Sequence, residues 1–389
     1  MPDKSSKLVT LLFVLFFAIV LPAGHLLGIV SINTISLWGR YCCFAIAALG
    51  IDLIWGYTGI MSMCQAFFFC LGGYCMGMHL LLKATALQGQ ELPDFMVWNN
   101  FTALPAFWQP FHGFVPAVLL ALLVPAVIAF IIGFFVFRSR IKGVYMAIIT
   151  QALALGMYLL FLRNETKLGG TNGLTNFKTV LGFDLSSAAT KLGLYFAAVV
   201  MLCVSYILCR KIVSSKFGKV LQAIRDSEPR VGYTAYRVLH YKLAVFVVAA
   251  VLAGLAGMLY VPQTGIITPG RMSVTSSVEM LMWVALGGRG RLKGAIIGAL
   301  LVNCLYSLCT SLFPEGWLFV LGILYILTVL YFDKGFTGLF DKLSTLLRSR
   351  RKAVVESPAI SGSPSSSSQV AEEKTRVSLP VIARSNGED

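Results

Sequence analysis

The chain has 389 residues, 57% of them hydrophobic and only 13% charged, with a formal net charge of +15 and a mean hydropathy of +0.79. Soluble globular domains carry about 25% charged residues, so the composition excludes an ordinary soluble domain and points to a chain built for lipid. The basic excess sits in short loops between apolar runs, as the positive-inside rule expects of cytoplasmic faces, and no basic surface with interleaved aromatics suggests nucleic acid.

Apolar runs close to 20 residues occupy 8–30, 114–137, 191–209, 242–262, 294–313 and 316–332. Each suits a helix crossing a hydrocarbon core about 30 Å thick. A helix also satisfies its own backbone where lipid offers no partner. The first run follows Lys4 and Lys7 and is longer than the apolar core of a cleaved signal peptide, so it reads as an uncleaved span.

Counting Lys and Arg loop by loop, with the N-terminus cytoplasmic, gives a topology. Spans are expected at 40–56 and 60–82, then a segment at 83–113 whose Trp98 and Trp108 suit a cap at headgroup level. The span 114–137 exits into the basic loop "RSRIK", and 143–162 leads to a polar Gly-rich loop at 163–185. Spans at 191–209 and 242–262 follow, then the turn "PQTGIITPGR", a short span at 275–288, the basic "GRGRLKG", and a hairpin of 294–313 and 316–332 around "FPEG". The fold class is therefore all-α: a polytopic helical membrane protein of about ten transmembrane helices, eight if 40–56 or 275–288 is re-entrant. Residues 1–37 form the first span and its turn, 38–338 the main domain, and 339–389 a basic then Ser- and Pro-rich cytoplasmic tail that lacks the periodic apolar positions needed to fold. Gly73 with Gly77, and Gly294 with Gly298, have the small-xxx-small spacing that permits close helix packing.

Catalytic patterns are missing. There is no G-x4-G-K-[ST] phosphate loop, no H-E-x-x-H and no G-x-S-x-G. The nine Cys lie almost wholly within apolar spans and form no C-x-x-C pair beside His, so they read as small hydrophobes and not as a metal or redox site. The chain is expected to be a non-enzyme with no metal and no cofactor of its own.

The polar groups inside spans are Asp52, Gln65, Gln151, Glu279 and Asn303. An ionisable side chain at such depth is costly and a functional candidate by default. Asp52 falls near a span end, where a local backbone partner is the expected reading. Glu279, in a short Gly-flanked span, suits a pathway or an interhelical contact equally. Gln65 and Gln151 both donate and accept hydrogen bonds, which fits a small neutral amide or a bond between helices.

Between Arg210 and Lys242 stand eight basic and two acidic residues. Phe217, Val220, Leu221 and Ile224 recur there at helical spacing, giving a short amphipathic helix. Pro229 predicts a break before it, and "RVGYTAYRV" resumes beyond. A loop needed only to set topology would not require patterned apolar residues, so this helix–turn–helix reads as a surface for a partner.

The stretches "KFGKVLQAIRDSE", "YKLAVFVVAAVLAGLAGMLY", "GIITPG" and "ALGGRGRLKGAIIGALL", with "LGGTNGL" at 168–174, resemble the LivM-like permeases of ABC importers. "LPDFMVW", "SEPRVGYTAYRVLHYKL", "YVPQTGIITPG" and "VALGGRGRLKGAIIGALLVN" are more similar to the urea branch than to the amino-acid branch of that family. The chain departs from the usual pattern with "CQAFF" at 64–68, and with Pro229, Arg230 and Val231 where small residues are usual. The resemblance implies an inner-membrane permease subunit, which the loop charges orient with both termini cytoplasmic, working with a second homologous permease, two ATP-binding ATPase subunits and a periplasmic substrate-binding protein. It implies that 216–238 is the coupling segment, with Phe217, Leu221, Arg225, Asp226, Glu228 and Arg230 at the ATPase contact. Gln65, Gln151, Asn172 and Glu279 are the pathway candidates. Urea is the expected solute, with a branched-chain amino acid or short amide as the alternative; a channel or secondary transporter independent of ATP is the alternative of another class.

Overall fold

The computed structural model describes residues 21–312, apart from positions 29, 100, 140 and 142, together with isolated positions between 315 and 326. The chain divides into a unit spanning Met1–Lys342 and a second spanning Leu343–Asp389. The second unit, the expected span up to residue 20 and most of the expected span at 316–332 lie outside the described residues.

A short helix α1 (Leu21–Leu26) precedes α2 (Ile32–Ile51). The Ser31 side chain caps α2 by accepting from the Thr34 amide, so the helix starts well before the apolar run at 40. Its last turn widens into a π-turn at Asp52–Gly56. Helix α3 (Gln65–Leu87) begins after a non-helical stretch that follows Gly59, whose φ is +74°. It continues past the expected end at 82 because Thr85 turns its hydroxyl back to the Leu81 carbonyl and is buried.

Next come the single turn α4 (Asp94–Trp98) and a 3₁₀ stretch at Ala106–His112. Trp98 is exposed, as a headgroup cap requires, whereas Trp108 is buried and donates its indole N–H to the Lys167 carbonyl at 3.0 Å. Helices α5 (Phe114–Arg138) and α6 (Val144–Leu162) follow, then a two-stranded antiparallel ribbon, β1 (Thr179–Val180) with β2 (Phe183–Asp184). Asp184 there accepts from the Ser186 amide at 2.9 Å, which holds its carboxyl below the usual range. The remaining helices are α7 (Ala188–Ser214), α8 (Lys216–Gly232), α9 (Val238–Thr264), α10 (Val274–Gly287) and α11 (Leu292–Leu312).

Seven helices among the described residues are long and apolar enough to cross a membrane: α2 with its π-turn, α3, α5, α6, α7, α9 and α11. This is an all-α polytopic membrane protein, but the expected ten crossings are not what the described residues provide. The segment expected at 275–288 is α10, with 14 residues; at 1.5 Å per residue it is about 21 Å long, too short to span unaided.

Helix α9 is the hub, packing on α3, α5 and α2, while α7 and α11 also lie against α2 and α10 pairs with α11. The most apolar window of α3 is 100% buried, against 22% for α5, 28% for α6 and 33% for α7. Helices apolar all round that keep their surfaces outward are solvated by lipid. The tightest crossing is between α3 and α9: a Cβ at Gly72 would lie 2.0 Å from the Gly254 carbonyl oxygen, and one at Gly257 1.8 Å from that of Phe69. Gly73 and Gly77 meet only side chains at 3.1 Å or more, so the close approach falls one position from the expected pair. On α11 the expected pair is the right one, with Gly294 and Gly298 set against Gly287 and Trp283 of α10.

Candidate functional site

Two features stand out: a polar cleft at one end of the bundle and the amphipathic α8 at the other. The cleft has a volume of about 350 Å³ and is walled by the first half of α2, by α10 and by α11. Arg40, Arg271, Glu279 and Asn303 line it beside the aromatic rings of Tyr260 and Trp283. Its volume falls within the ~300–1,000 Å³ of small-molecule sites, and an apolar wall with a few convergent polar groups is their usual make-up. Arg271 lies over the Tyr260 ring, 5.7 Å from its centroid, which fixes the guanidinium at the rim. Arg271 is also the charged neighbour of Glu279. Arg40 keeps its Nε buried without a hydrogen-bond partner and also lines a second cavity of about 420 Å³, with Asn33, Lys191 and Gln263. Among the described residues no group of His, Cys, Asp or Glu is placed to hold a metal ion.

Of the four pathway candidates, the structure brings only Glu279 into this cleft. Gln65 begins α3 and is buried, with neither its Nε2 nor its Oε1 hydrogen-bonded. Gln151 is exposed on α6. Its neighbour Thr150 takes the inward position, accepting from the Met63 amide at 2.9 Å and donating to the Met146 carbonyl. Asn172 is exposed in the loop before β1. Arg40, Arg271 and Tyr260 were not singled out in the sequence. Arg40 falls where a span was expected to begin and Arg271 in a turn, so neither carried the mark of a charge inside an apolar run.

At the opposite end, Ser215 caps α8 by accepting from the Gly218 amide. The apolar spacing produces the expected inner face: Leu221 and Ile224 are buried and Phe217 stacks on Tyr241 of α9 at 5.2 Å between centroids. These side chains hold α8 on the bundle, so Phe217 and Leu221 are packing residues of this chain. The break lies at Ser227 (φ −160°, ψ 89°), two residues before Pro229, and not immediately before the proline. Proline is tolerated in the first turn of a helix, where its missing N–H has no partner to lose. The second arm therefore restarts through Pro229 and ends at Gly232.

Arg225 and Asp226 form a surface pair at 3.0 Å, and Arg225 also donates from Nη1 to the Gly56 carbonyl at 2.9 Å. Glu228 accepts from Lys242 of α9 at 2.7 Å, with the lysine largely buried, so that carboxylate is engaged within the chain. Lys216, Lys219, Asp226, Arg230 and the whole turn from Gly232 to Arg237 remain exposed. Tyr233 in that turn is 92% exposed.

The family described as branched-chain amino acid transport system / permease component matches residues 33–329. The high-affinity branched-chain amino acid transport system permease protein LivM of Escherichia coli K12 is 24% identical over 328 residues, covering 79% of this chain and 70% of that protein. The probable LivM of Methanocaldococcus jannaschii is 23% identical over 353 residues, covering 84% and 97%. The autoinducer 2 import system permease protein LsrC of Yersinia pseudotuberculosis serotype O:3 is 27% identical over 230 residues, covering 57% and 62%. No solved structure matches.

Proposed function

The chain belongs to the branched-chain amino acid transport system permease family and is a transport component, not an enzyme; from that premise we propose that it is an inner-membrane permease subunit of an ATP-driven importer, moving urea. The observation that carries the coupling half of this reading is α8. Its apolar face is spent on its own bundle, while its basic outer face and the turn bearing Tyr233 are left free. The chain has no phosphate-binding loop, so hydrolysis falls to separate ATPase subunits seated against that face in the cytoplasm. A second homologous permease completes the pathway, and a periplasmic binding protein delivers solute at the cleft end.

The urea assignment rests on the four stretches similar to the urea branch and on Gln65. An amide whose donor and acceptor are both unspent matches a solute that is itself a small neutral amide. A branched-chain amino acid is the second reading, favoured by one observation: Arg40, Arg271 and Glu279 share a cleft with Trp283. An α-carboxylate could meet an arginine there, an ammonium the glutamate, and an apolar side chain the rings.

The deciding experiment compares radiolabelled urea uptake in cells with and without the gene, with ATP depleted, and with leucine as competitor. ATP-dependent urea uptake that disappears on deletion and ignores leucine is the expected result. Loss of leucine uptake instead would transfer the function to the second reading, and uptake persisting without ATP would remove the ATPase from the scheme.

A further inference from the structure

The two walls of the cleft converge at the far end of the bundle. Helix α2 carries Arg40 into the cleft and, twelve residues or about 18 Å further on, reaches Asp52 at the start of its π-turn. Helix α10 carries Glu279 and Trp283 into the cleft and ends at Gly287, just before the turn that holds Gly290. At that end Asp52 Oδ1 accepts a hydrogen bond from the Gly290 amide at 2.7 Å. Four residues on, the Gly56 carbonyl accepts from Arg225 of α8 at 2.9 Å.

The three segments interlock at glycines. A Cβ at Gly56 would lie 2.1 Å from Asp52 Oδ1 and 2.5 Å from the Gly290 nitrogen, so no side chain fits there. Gly290 has φ +77°, a conformation side chains resist. Gly59, at φ +74°, lets the Arg225 stem pass at the distance a Cβ would meet it, 3.1 Å. Arg289 covers the Trp55 ring at 5.0 Å, closing the junction from the side. π-turns inside helices recur at functional sites, and this one supplies both Asp52 and Gly56.

Asp52 itself is 0% exposed, and its second oxygen, Oδ2, is buried without a hydrogen-bond partner. Burying a carboxylate is expensive, and capping one amide does not require a charge or a second oxygen. We propose that Asp52 is the positioning residue that ties displacement of α8 to the walls of the cleft, which rests on the reading of α8 as the ATPase contact. Arg225 draws the Gly56 carbonyl with α8, and Asp52 makes the Gly290 amide follow, so α2 and α10 move as one body. The free oxygen lets the bond to Gly290 re-form when the loop shifts.

The test uses the complete transporter, this chain with its companion subunits, in proteoliposomes. ATP hydrolysis and uptake of radiolabelled urea and leucine are measured for wild type, Asp52→Ala, Asp52→Asn and Gly56→Ala. With Asp52→Ala and with Gly56→Ala, hydrolysis continues while uptake per ATP falls about tenfold or more, the size of an ordinary coupling free energy. Asp52→Asn keeps one acceptor for the Gly290 amide but lacks the free second oxygen, so its uptake per ATP falls between that of Asp52→Ala and wild type. A wild-type ratio of uptake to hydrolysis in Asp52→Ala would overturn the proposal. So would a parallel loss of both activities in Asp52→Ala, or failure of that variant to assemble, since either marks a purely structural residue. Wild-type transporter that takes up neither solute with ATP would instead sink the functional reading beneath it.

Discussion

One methyl group decides how near α3 and α9 can lie. At Gly72 a Cβ would stand 2.0 Å from the Gly254 carbonyl oxygen and 2.6 Å from its Cα, backbone atoms that cannot rotate away. Gly72→Ala is therefore expected to push these two spans apart, at a cost of about 1–3 kcal/mol for overpacking. The corresponding change at Gly156, within α6 and meeting nothing within 4 Å, should not lower stability and gains up to about 1 kcal/mol from helix propensity. Thermal unfolding of the purified chain in detergent checks both, and equal melting temperatures for Gly72→Ala and wild type would contradict the crossing. Spacing alone pointed to Gly73 and Gly77, because a small-xxx-small pattern reports small residues and not the rotation of the helix that carries them. With 36 glycines in the chain, rotation is the missing information. Gln151 and Thr150 teach the same point, since the larger polar side chain drew notice while its neighbour faces inward.

At the scale of the element, α8 was the most legible part of the molecule. Apolar residues at helical spacing within a basic stretch specify a helix with one buried face, and Leu221 and Ile224 lie on it. What could not be read was non-local: Glu228 is held by Lys242 across 14 positions, and Arg225 by the Gly56 carbonyl across 169. The position of the break depended on which turn of the second helix held Pro229, and a sequence does not fix that. Having lost Phe217, Leu221 and Glu228 to internal contacts, the expected partner surface shifts to Arg230 and the turn at 232–237. Exposed tyrosine beside arginine is the composition of an interface hot spot. Tyr233→Ala combined with Arg230→Glu is expected to weaken retention of the ATPase subunits by about tenfold or more, corresponding to at least about 1.4 kcal/mol. Neither side chain is buried, so the bundle itself should fold normally. Co-purification of the ATPase at graded salt measures the effect, and undiminished retention would move the contact elsewhere.

For the whole molecule, the arrangement of helices separates an arc of outward-facing apolar surface, α5 to α7, from a side where α2, α10 and α11 enclose a polar cleft. That division was only half visible in the sequence. Apolar runs announced the spans, but the cleft is assembled from residues more than 200 positions apart, and its two arginines sit where loops and span edges were expected. The same cleft distinguishes the two solutes by charge. A zwitterion would use Arg40 and Glu279 as counter-ions, whereas urea, which is neutral, needs only hydrogen bonds. A hydrogen bond to a charged group contributes about 1.5–3 kcal/mol, so its removal lowers uptake of a zwitterion by about tenfold to a hundredfold. Glu279→Gln keeps size while removing charge, and Arg40→Gln removes charge while retaining an N–H donor. If urea is the solute, both variants should transport it within about threefold of wild type, because the glutamine at 40 still offers an N–H donor and the one at 279 still offers a carbonyl acceptor. Gln65→Leu, which removes the unspent amide without touching the charges, should then cause the greater loss. The opposite ranking, with the charge-neutral variants failing and Gln65→Leu tolerated, would assign the cleft to an amino acid. Initial rates of uptake in proteoliposomes at fixed ATP distinguish the two rankings, provided each variant is normalised to the amount of assembled complex.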